Sequence, residues 1–154
     1  KGENVFERYH NLPELTAKKK INGWLKTGDL GYLDKSGYLF ITDRIDNLII
    51  VSGENVYPAE IEQYSHLFPD LYEFLIVGKN HEIKGMEVVM IYTLTNNAFP
   101  DEKSWSKLFS SKLANYKIPS RYINVKDLGL EEIPKSANGK ILRNKVYELV
   151  KNYT

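Results

Sequence analysis

Three polar clusters carry residue types that chemistry can use. Residues 134–145 read Pro-Lys-Ser-Ala-Asn-Gly-Lys-Ile-Leu-Arg-Asn-Lys, which sets Lys140 on a short glycine-bearing loop ahead of an amphipathic carboxyl-terminal stretch. A cation on a movable tether suits a transient meeting with an anion. The loop is not a Walker phosphate loop, because Gly139-Lys140 lacks the upstream glycine and is followed by Ile141 in place of Ser or Thr. Far upstream, Thr27-Gly28-Asp29 offers a carboxylate beside a turn, and Asp43-Arg44-Ile45-Asp46 sets a guanidinium between acids. Each cluster alone has a plainer reading: Asp29 caps a turn, Arg44 joins a solvated ion pair, and Lys140 is a surface lysine. Their order along one chain makes them informative together.

Composition narrows the classes. With 154 residues, 42% hydrophobic and 27% charged, the chain has the make-up of a globular protein of one or two small domains. A net charge of +1 gives no broad pull toward nucleic acid. Zero cysteines exclude disulfides, thiolate zinc sites and cysteine catalysis. No apolar run approaches the roughly 20 residues of a membrane helix, so no transmembrane segment is expected. His10, His66 and His81 show no metal-ligand spacing, and no metal site is assigned. No Gly-x-Ser-x-Gly elbow and no Gly-x-Gly-x-x-Gly turn occurs. The opening Lys-Gly-Glu-Asn-Val reads as a chain that begins partway through something larger.

The elements that position these clusters follow from patterning. Strand-like runs at 24–25, 31–33 and 38–42, with a turn at 34–37, predict a hairpin. Residues 48–51 read as a buried strand, and Pro58 suits the first residue of a helix whose face is Ile61, Tyr64, Ser65 and Phe68. The β-rich runs 74–77 and 88–92 predict an antiparallel pair. Pro100-Asp101-Glu102 opens a helix with Trp105, Leu108, Phe109 and Leu113 on one stripe. Residues 122–125 read as a third strand, and Leu142, Val146, Leu149 and Val150 define a last helix. Strands and helices without strict alternation predict an α+β fold, with an approximately three-stranded antiparallel sheet flanked by helices. A β-hairpin segment precedes it, and 43–47 is the candidate linker.

Gly23-Trp24, Thr27-Gly28-Asp29, Asp43-Arg44-Ile45-Asp46, the run Val51-Ser-Gly-Glu-Asn-Val-Tyr-Pro-Ala-Glu-Ile-Glu62 and Pro134-Lys-Ser-Ala-Asn-Gly-Lys140 together resemble the AMP-forming acyl-adenylate superfamily. That superfamily comprises acyl- and aryl-CoA ligases, the adenylation domains of peptide synthetases, and firefly-type luciferases. The resemblance runs from Tyr9 to the end and concerns the carboxyl-terminal part only. The family's phosphate loop and acid-binding pocket have no counterpart in this sequence. The resemblance implies that residues 1–45 finish a large amino-terminal domain, that 46–47 form a hinge, and that 48–154 form a small mobile lid.

It also implies a chemistry. An acid and ATP give an acyl-adenylate and pyrophosphate, and a thiol then displaces AMP to give a thioester. Asp29 would accept hydrogen bonds from the ribose hydroxyls, and Arg44 would donate to the same sugar. Asp46 is the hinge position. Lys140 would enter during adenylation and bridge the carboxylate and the α-phosphate. Gly53, with Glu54, would line the thiol tunnel in a second lid pose. ATP, AMP, CoA and magnesium are the implied cofactors, the metal held mainly by the amino-terminal domain. That domain and the small-molecule substrates are the implied partners, the location implied is cytoplasmic, and the chain by itself is expected to be inactive.

Two departures concern subfamily. Arg8-Tyr9 stands where the family has Gly-Tyr, and Gly85-Met86-Glu87 where it has Gly-Glu. The Gly-Glu-Asn-Val-Tyr-Pro-Ala-Glu-Ile-Glu string looks more like stand-alone acyl-CoA ligases than peptide-synthetase domains. A non-catalytic module that binds nucleotide, CoA or a partner protein stays open as the alternative, as does a peptide-synthetase adenylation domain.

Overall fold

The computed structural model describes residues 1–96 and 98–153; Asn97 and Thr154, both inside the span 48–154, lie outside the described residues. The chain divides into two compact units, Lys1–Asp46 and Asn47–Thr154.

The first unit contains α1 (Pro13–Lys19) and two hairpins. Pro13 opens α1 at a position where its missing N–H costs nothing. Strands β1 (Lys20–Ile21) and β2 (Trp24–Leu25) pair antiparallel across Asn22-Gly23. Both turn residues have positive φ, 51° and 77°, as a tight Asn-Gly hairpin turn requires. Strands β3 (Asp29–Leu33) and β4 (Leu39–Arg44) form the second hairpin. Asp34 accepts from the amides of Ser36 and Tyr38 at 2.9 and 2.8 Å, which closes its turn. No described residue of this unit is buried, and Trp24, Leu33, Tyr38 and Leu39 are all more than 60% exposed.

The second unit is built on a sheet of five strands. Its hairpin of β5 (Ile49–Val51) and β6 (Glu54–Val56) is joined to the long pair β7 (Leu71–His81) and β8 (Gly85–Leu94), in the order β6-β5-β8-β7. The runs Phe74-Leu-Ile-Val77 and Val88-Val-Met-Ile-Tyr92 are apolar at every position because both faces of this pair are covered. Phe74, Ile76, Val88, Met90 and Tyr92 join one core cluster with Ile61 of α2 (Pro58–Glu62) and Trp105 and Phe109 of α3 (Glu102–Ser110). Leu75, Val77, Val89 and Ile91 join the other cluster, with Val146 and Val150 of α4 (Arg143–Asn152). Helices thus sandwich the sheet. Asp101 caps α3 by accepting from the Ser104 amide at 3.1 Å, and hydrogen bonding to the Ser104 side chain, together with that amide bond, holds its carboxyl below the ordinary range.

The α+β class and the antiparallel β7–β8 pair agree with the sequence reading. The strand count does not: five strands stand where three are expected. The extra ones are β5, expected as a strand but not counted in the sheet, and β6, which no pattern marked; their hairpin extends the sheet through the pairing of Val51 with Gly85. The sheet is not wholly antiparallel either. Strand β9 (Arg121–Asn124) runs parallel to β8, with Ile91 opposite Ile123. A parallel neighbour needs a crossover, and the segment holding α3 supplies it. Helix α2 is shorter than expected, ending at Glu62 before a 3-10 turn at Ser65–Leu67. Phe68 precedes Pro69, and the proline ring disfavours helical torsions at the residue before it.

Candidate functional site

In the first unit, strand register decides which charges meet. From Leu33 back to Gly31 the β3–β4 ladder pairs Leu33 with Leu39, Tyr32 with Phe40 and Gly31 with Ile41. A bulge then intervenes, and Leu30 faces Asp43 while Asp29 faces Arg44. Had the first register continued, Asp43 would stand against Asp29 and set two carboxylates together. The extra residue is Thr42, and the close approach falls at Gly31, where a Cβ would lie 2.4 Å from the Phe40 carbonyl oxygen. Glycine is required there.

The result is a compact charged cluster. Arg44 Nη1 donates to Asp29 Oδ1 at 2.8 Å and to the Thr27 carbonyl at 2.9 Å. Arg44 Nη2 lies 3.5 Å from Asp46 Oδ2. The hydrogen bond to Asp29 raises the Arg44 pKa further, so the guanidinium stays charged. Gly28 takes φ +83°, and a Cβ on it would sit 2.9 Å from Arg44 Nη2. Its carbonyl accepts from the Ile45 amide at 2.8 Å, which ties the Thr27-Gly28-Asp29 turn to the Ile45–Asn47 3-10 turn that contains Asp46. The side chains of Arg44 and Asp29 are 47% and 37% exposed, so the pair faces solvent. A carboxylate and a guanidinium side by side complement a group that both donates and accepts, such as a vicinal diol.

In the second unit, Lys140 follows a tight turn. Lys135 and Ile141 form an isolated antiparallel bridge, the Ser136 amide donates to the Lys140 carbonyl at 2.8 Å, and Gly139 has φ +79°. The Ser136 hydroxyl accepts from the Lys140 amide at 3.1 Å. The backbone at Lys140 is therefore held while its side chain is exposed, and among the described residues no salt bridge engages it. Ile133, fully buried, roots the loop in the core.

Gly53 and Glu54 sit at the β5–β6 turn, both exposed. Ser52 and Gly53 have φ 52° and 88°, the turn that two-residue hairpins favour. A Cβ at Gly53 would meet nothing within 4 Å, so backbone conformation alone gives glycine a reason to be there. Asp29, Arg44 and Asp46 are thus brought together in one unit, while Lys140 and the Gly53-Glu54 turn occupy separate turns of the other. Gly28 and Gly31, which seat the Asp29–Arg44 pair, carry no role in the sequence reading. A glycine inside a strand pattern was the available signal for the bulge at Gly31.

No family model matches the chain. The 2-succinylbenzoate–CoA ligase of Geobacillus kaustophilus is 39% identical over 150 residues, covering 97% of this chain and 30% of that protein. Among solved structures, ATP-bound MatB from Rhodopseudomonas palustris matches with a TM-score of 0.87 and 32% identity, over 99% of this chain and 29% of its own. The o-succinylbenzoate CoA synthetase of Bacillus subtilis, complexed with its acyl-adenylate intermediate, matches with a TM-score of 0.82 and 36% identity, over 95% and 29%. The chain therefore spans about 30% of the length of the relatives it matches. It belongs to the AMP-forming acyl-adenylate family of acyl- and aryl-CoA ligases and corresponds to the carboxyl-terminal part of those enzymes.

Proposed function

We propose that this chain works as the carboxyl-terminal portion of an acid–thiol ligase, completing its nucleotide site and supplying its moving lysine. The observation that carries the reading is the β-bulge pairing of Asp29 with Arg44, a solvent-facing acceptor–donor pair next to the Asp46 turn. In the first half-reaction the acid's carboxylate oxygen attacks the α-phosphorus of ATP. A P–O bond forms, the bond to the β-phosphate oxygen breaks, and pyrophosphate leaves. Asp29 accepts from the ribose hydroxyls and Arg44 donates to the same sugar. Lys140 offsets the negative charge that accumulates between carboxylate and α-phosphate. In the second half-reaction a thiol attacks the acyl carbon, AMP leaves with the bonding pair, and the thiol proton is released.

Asp46 is the proposed hinge, where a few backbone torsions turn residues 48–154 as a lid and withdraw Lys140. Gly53 and Glu54 then line the path of the pantetheine thiol, with CoA as the proposed acceptor. The body preceding residue 46 in such a ligase holds the triphosphate, the acid and magnesium. Among the described residues no group of three or more His, Cys, Asp or Glu gathers to hold a cation. ATP and CoA as substrates favour a cytoplasmic location; among the described residues no helix is long and apolar enough to cross a membrane.

Two measurements test this reading. The 154-residue chain by itself shows only background acid-dependent ATP–pyrophosphate exchange with a broad acid panel, because neither reactant is positioned without the body. Robust exchange by the chain alone overturns the reading. In the ligase that contains the chain, Gly28→Ala raises KM for ATP by about ten-fold, since a side chain at positive φ costs roughly 1–2 kcal/mol and displaces the guanidinium. An unchanged KM for ATP removes Arg44 from the nucleotide site.

A further inference from the structure

The outer edge of β7 is capped by side chains where a neighbouring strand would otherwise lie. Strand β7 is the last in the path β6-β5-β8-β7, so alternate backbone groups on it face away from β8. At Ile76 those groups are both satisfied from outside the sheet. The Ile76 amide donates to Glu62 Oε1 at 2.8 Å, and the Ile76 carbonyl accepts from Arg143 Nη1. Arg143 also grips Glu62 as a fork, Nη1 to Oε1 at 2.8 Å and Nη2 to Oε2 at 2.9 Å.

These partners come from opposite layers. Glu62 ends α2, whose Ile61 packs in the cluster on one face of the sheet. Arg143 begins α4, whose Val146 and Val150 pack in the cluster on the other face. The two side chains meet around the strand edge, with side-chain exposures of 21% and 23%. Their shelter makes the bidentate contact stronger and more directional than an open surface pair.

The position along the chain gives the clamp its consequence. Arg143 lies three residues after Lys140, at the point where the loop enters α4. The other limb of the same loop is held to the same strand: Lys135 Nζ lies 2.9 Å from Glu73 Oε2. Between these ties the Leu142 amide donates to the Pro134 carbonyl at 2.8 Å. The Lys140 turn thus stands on two ion pairs, both anchored on β7.

We infer that Glu62 and Arg143 are positioning residues for Lys140. They fix the base of its loop against β7, so that the lysine is presented in one orientation whenever the lid brings it to the reacting atoms. This rests on the adenylating role proposed for Lys140. Neither residue touches substrate. The clamp reads three things at once, namely a carboxylate, a backbone N–H and a backbone C=O, so charge alone cannot replace the fork.

Amide hydrogen exchange on the 154-residue chain tests the structural half without any activity. In Arg143→Lys and Glu62→Gln, the amides of Ser136, Lys140 and Leu142 exchange about ten-fold faster, while Val88, Val89 and Met90 change by less than roughly two-fold. Unchanged loop exchange, or equal acceleration of loop and sheet, overturns the inference. Arg143→Met extends the series, and should it fail to fold the two conservative variants still decide.

Kinetics in the containing ligase test the other half. Arg143→Lys lowers kcat for adenylation about ten-fold with KM for ATP within roughly two-fold, and on a Lys140→Ala background it adds less than about two-fold. A full additional loss on that background shows general structural damage and overturns the positioning role. So does an unchanged kcat in Arg143→Lys when Lys140→Ala is itself impaired. If Lys140→Ala leaves adenylation intact, the adenylating role proposed for the lysine falls, and the positioning role in the reaction falls with it. The exchange result then still judges the clamp on the loop.

Discussion

Replacing Lys140 by alanine in the ligase that carries this chain slows adenylate formation about 10²–10³-fold and leaves thioester formation from preformed acyl-adenylate within roughly two-fold. The size follows from what a single preorganised charge contributes where charge develops in a water-excluded site. The asymmetry follows from placement. Lys140 lies on an exposed turn whose backbone is fixed by Ser136 while its side chain extends clear of the loop's own hydrogen bonds. Under the proposed lid motion, such a residue contributes to adenylation and nothing to thiol transfer. Single-turnover measurement of each half-reaction separates the two cases. Equal slowing of both steps makes the lysine structural and ends the alternating-lid reading.

Replacing Phe109 by alanine destabilises the second unit by about 3–5 kcal/mol, a large share of the roughly 5–15 kcal/mol that hold an ordinary domain together. Phe109 is 1% exposed. Its ring lies 4.8 Å from that of Phe68 and 6.2 Å from that of Phe74, and those two meet edge-to-face at 5.7 Å. Truncation removes one ring from a three-ring cluster that joins α3, β7 and the turn after α2, so no single neighbour can collapse into the space. Urea unfolding measures the loss as a lower midpoint at unchanged slope. Tyr72→Ala, on the same sheet but 75% exposed, stays within about 0.5 kcal/mol. A loss below about 1.5 kcal/mol for Phe109→Ala means the rings repack and the cluster is not a rigid core.

Much of the fold is written locally. The unbroken apolar runs at 74–77 and 88–92 specify a strand pair covered on both faces, because apolar side chains at every position cannot leave one side in water. Pro100-Asp101-Glu102 specifies the start of α3, since the cap and the first turn need only their immediate neighbours. The Asp34–Gly37 turn specifies the β3–β4 hairpin for the same reason. In each case the determining interactions span a few residues, and the pattern records them directly.

The remainder depends on partners that periodicity does not name. Nothing in residues 121–124 says whether they run with or against β8; the crossover through α3 makes them parallel. Apolar run length does not count strands, and the β5–β6 hairpin joins the sheet through a single pairing near Gly85. Glu62 and Arg143, 81 positions apart, meet only because two helices from opposite layers end at one strand edge. The proximity of Asp29 and Arg44 turns on one unpaired residue at the bulge; one step of register would have given two opposed carboxylates. The sequence by itself determined the order of the polar clusters and the places of the 74–77 and 88–92 strands, the start of α3 and the Asp34–Gly37 turn, since these rest on short-range sterics and burial. Tertiary structure alone decided which charges touch, because contact between distant residues is fixed by topology and register, and neither is a property of any local stretch of chain.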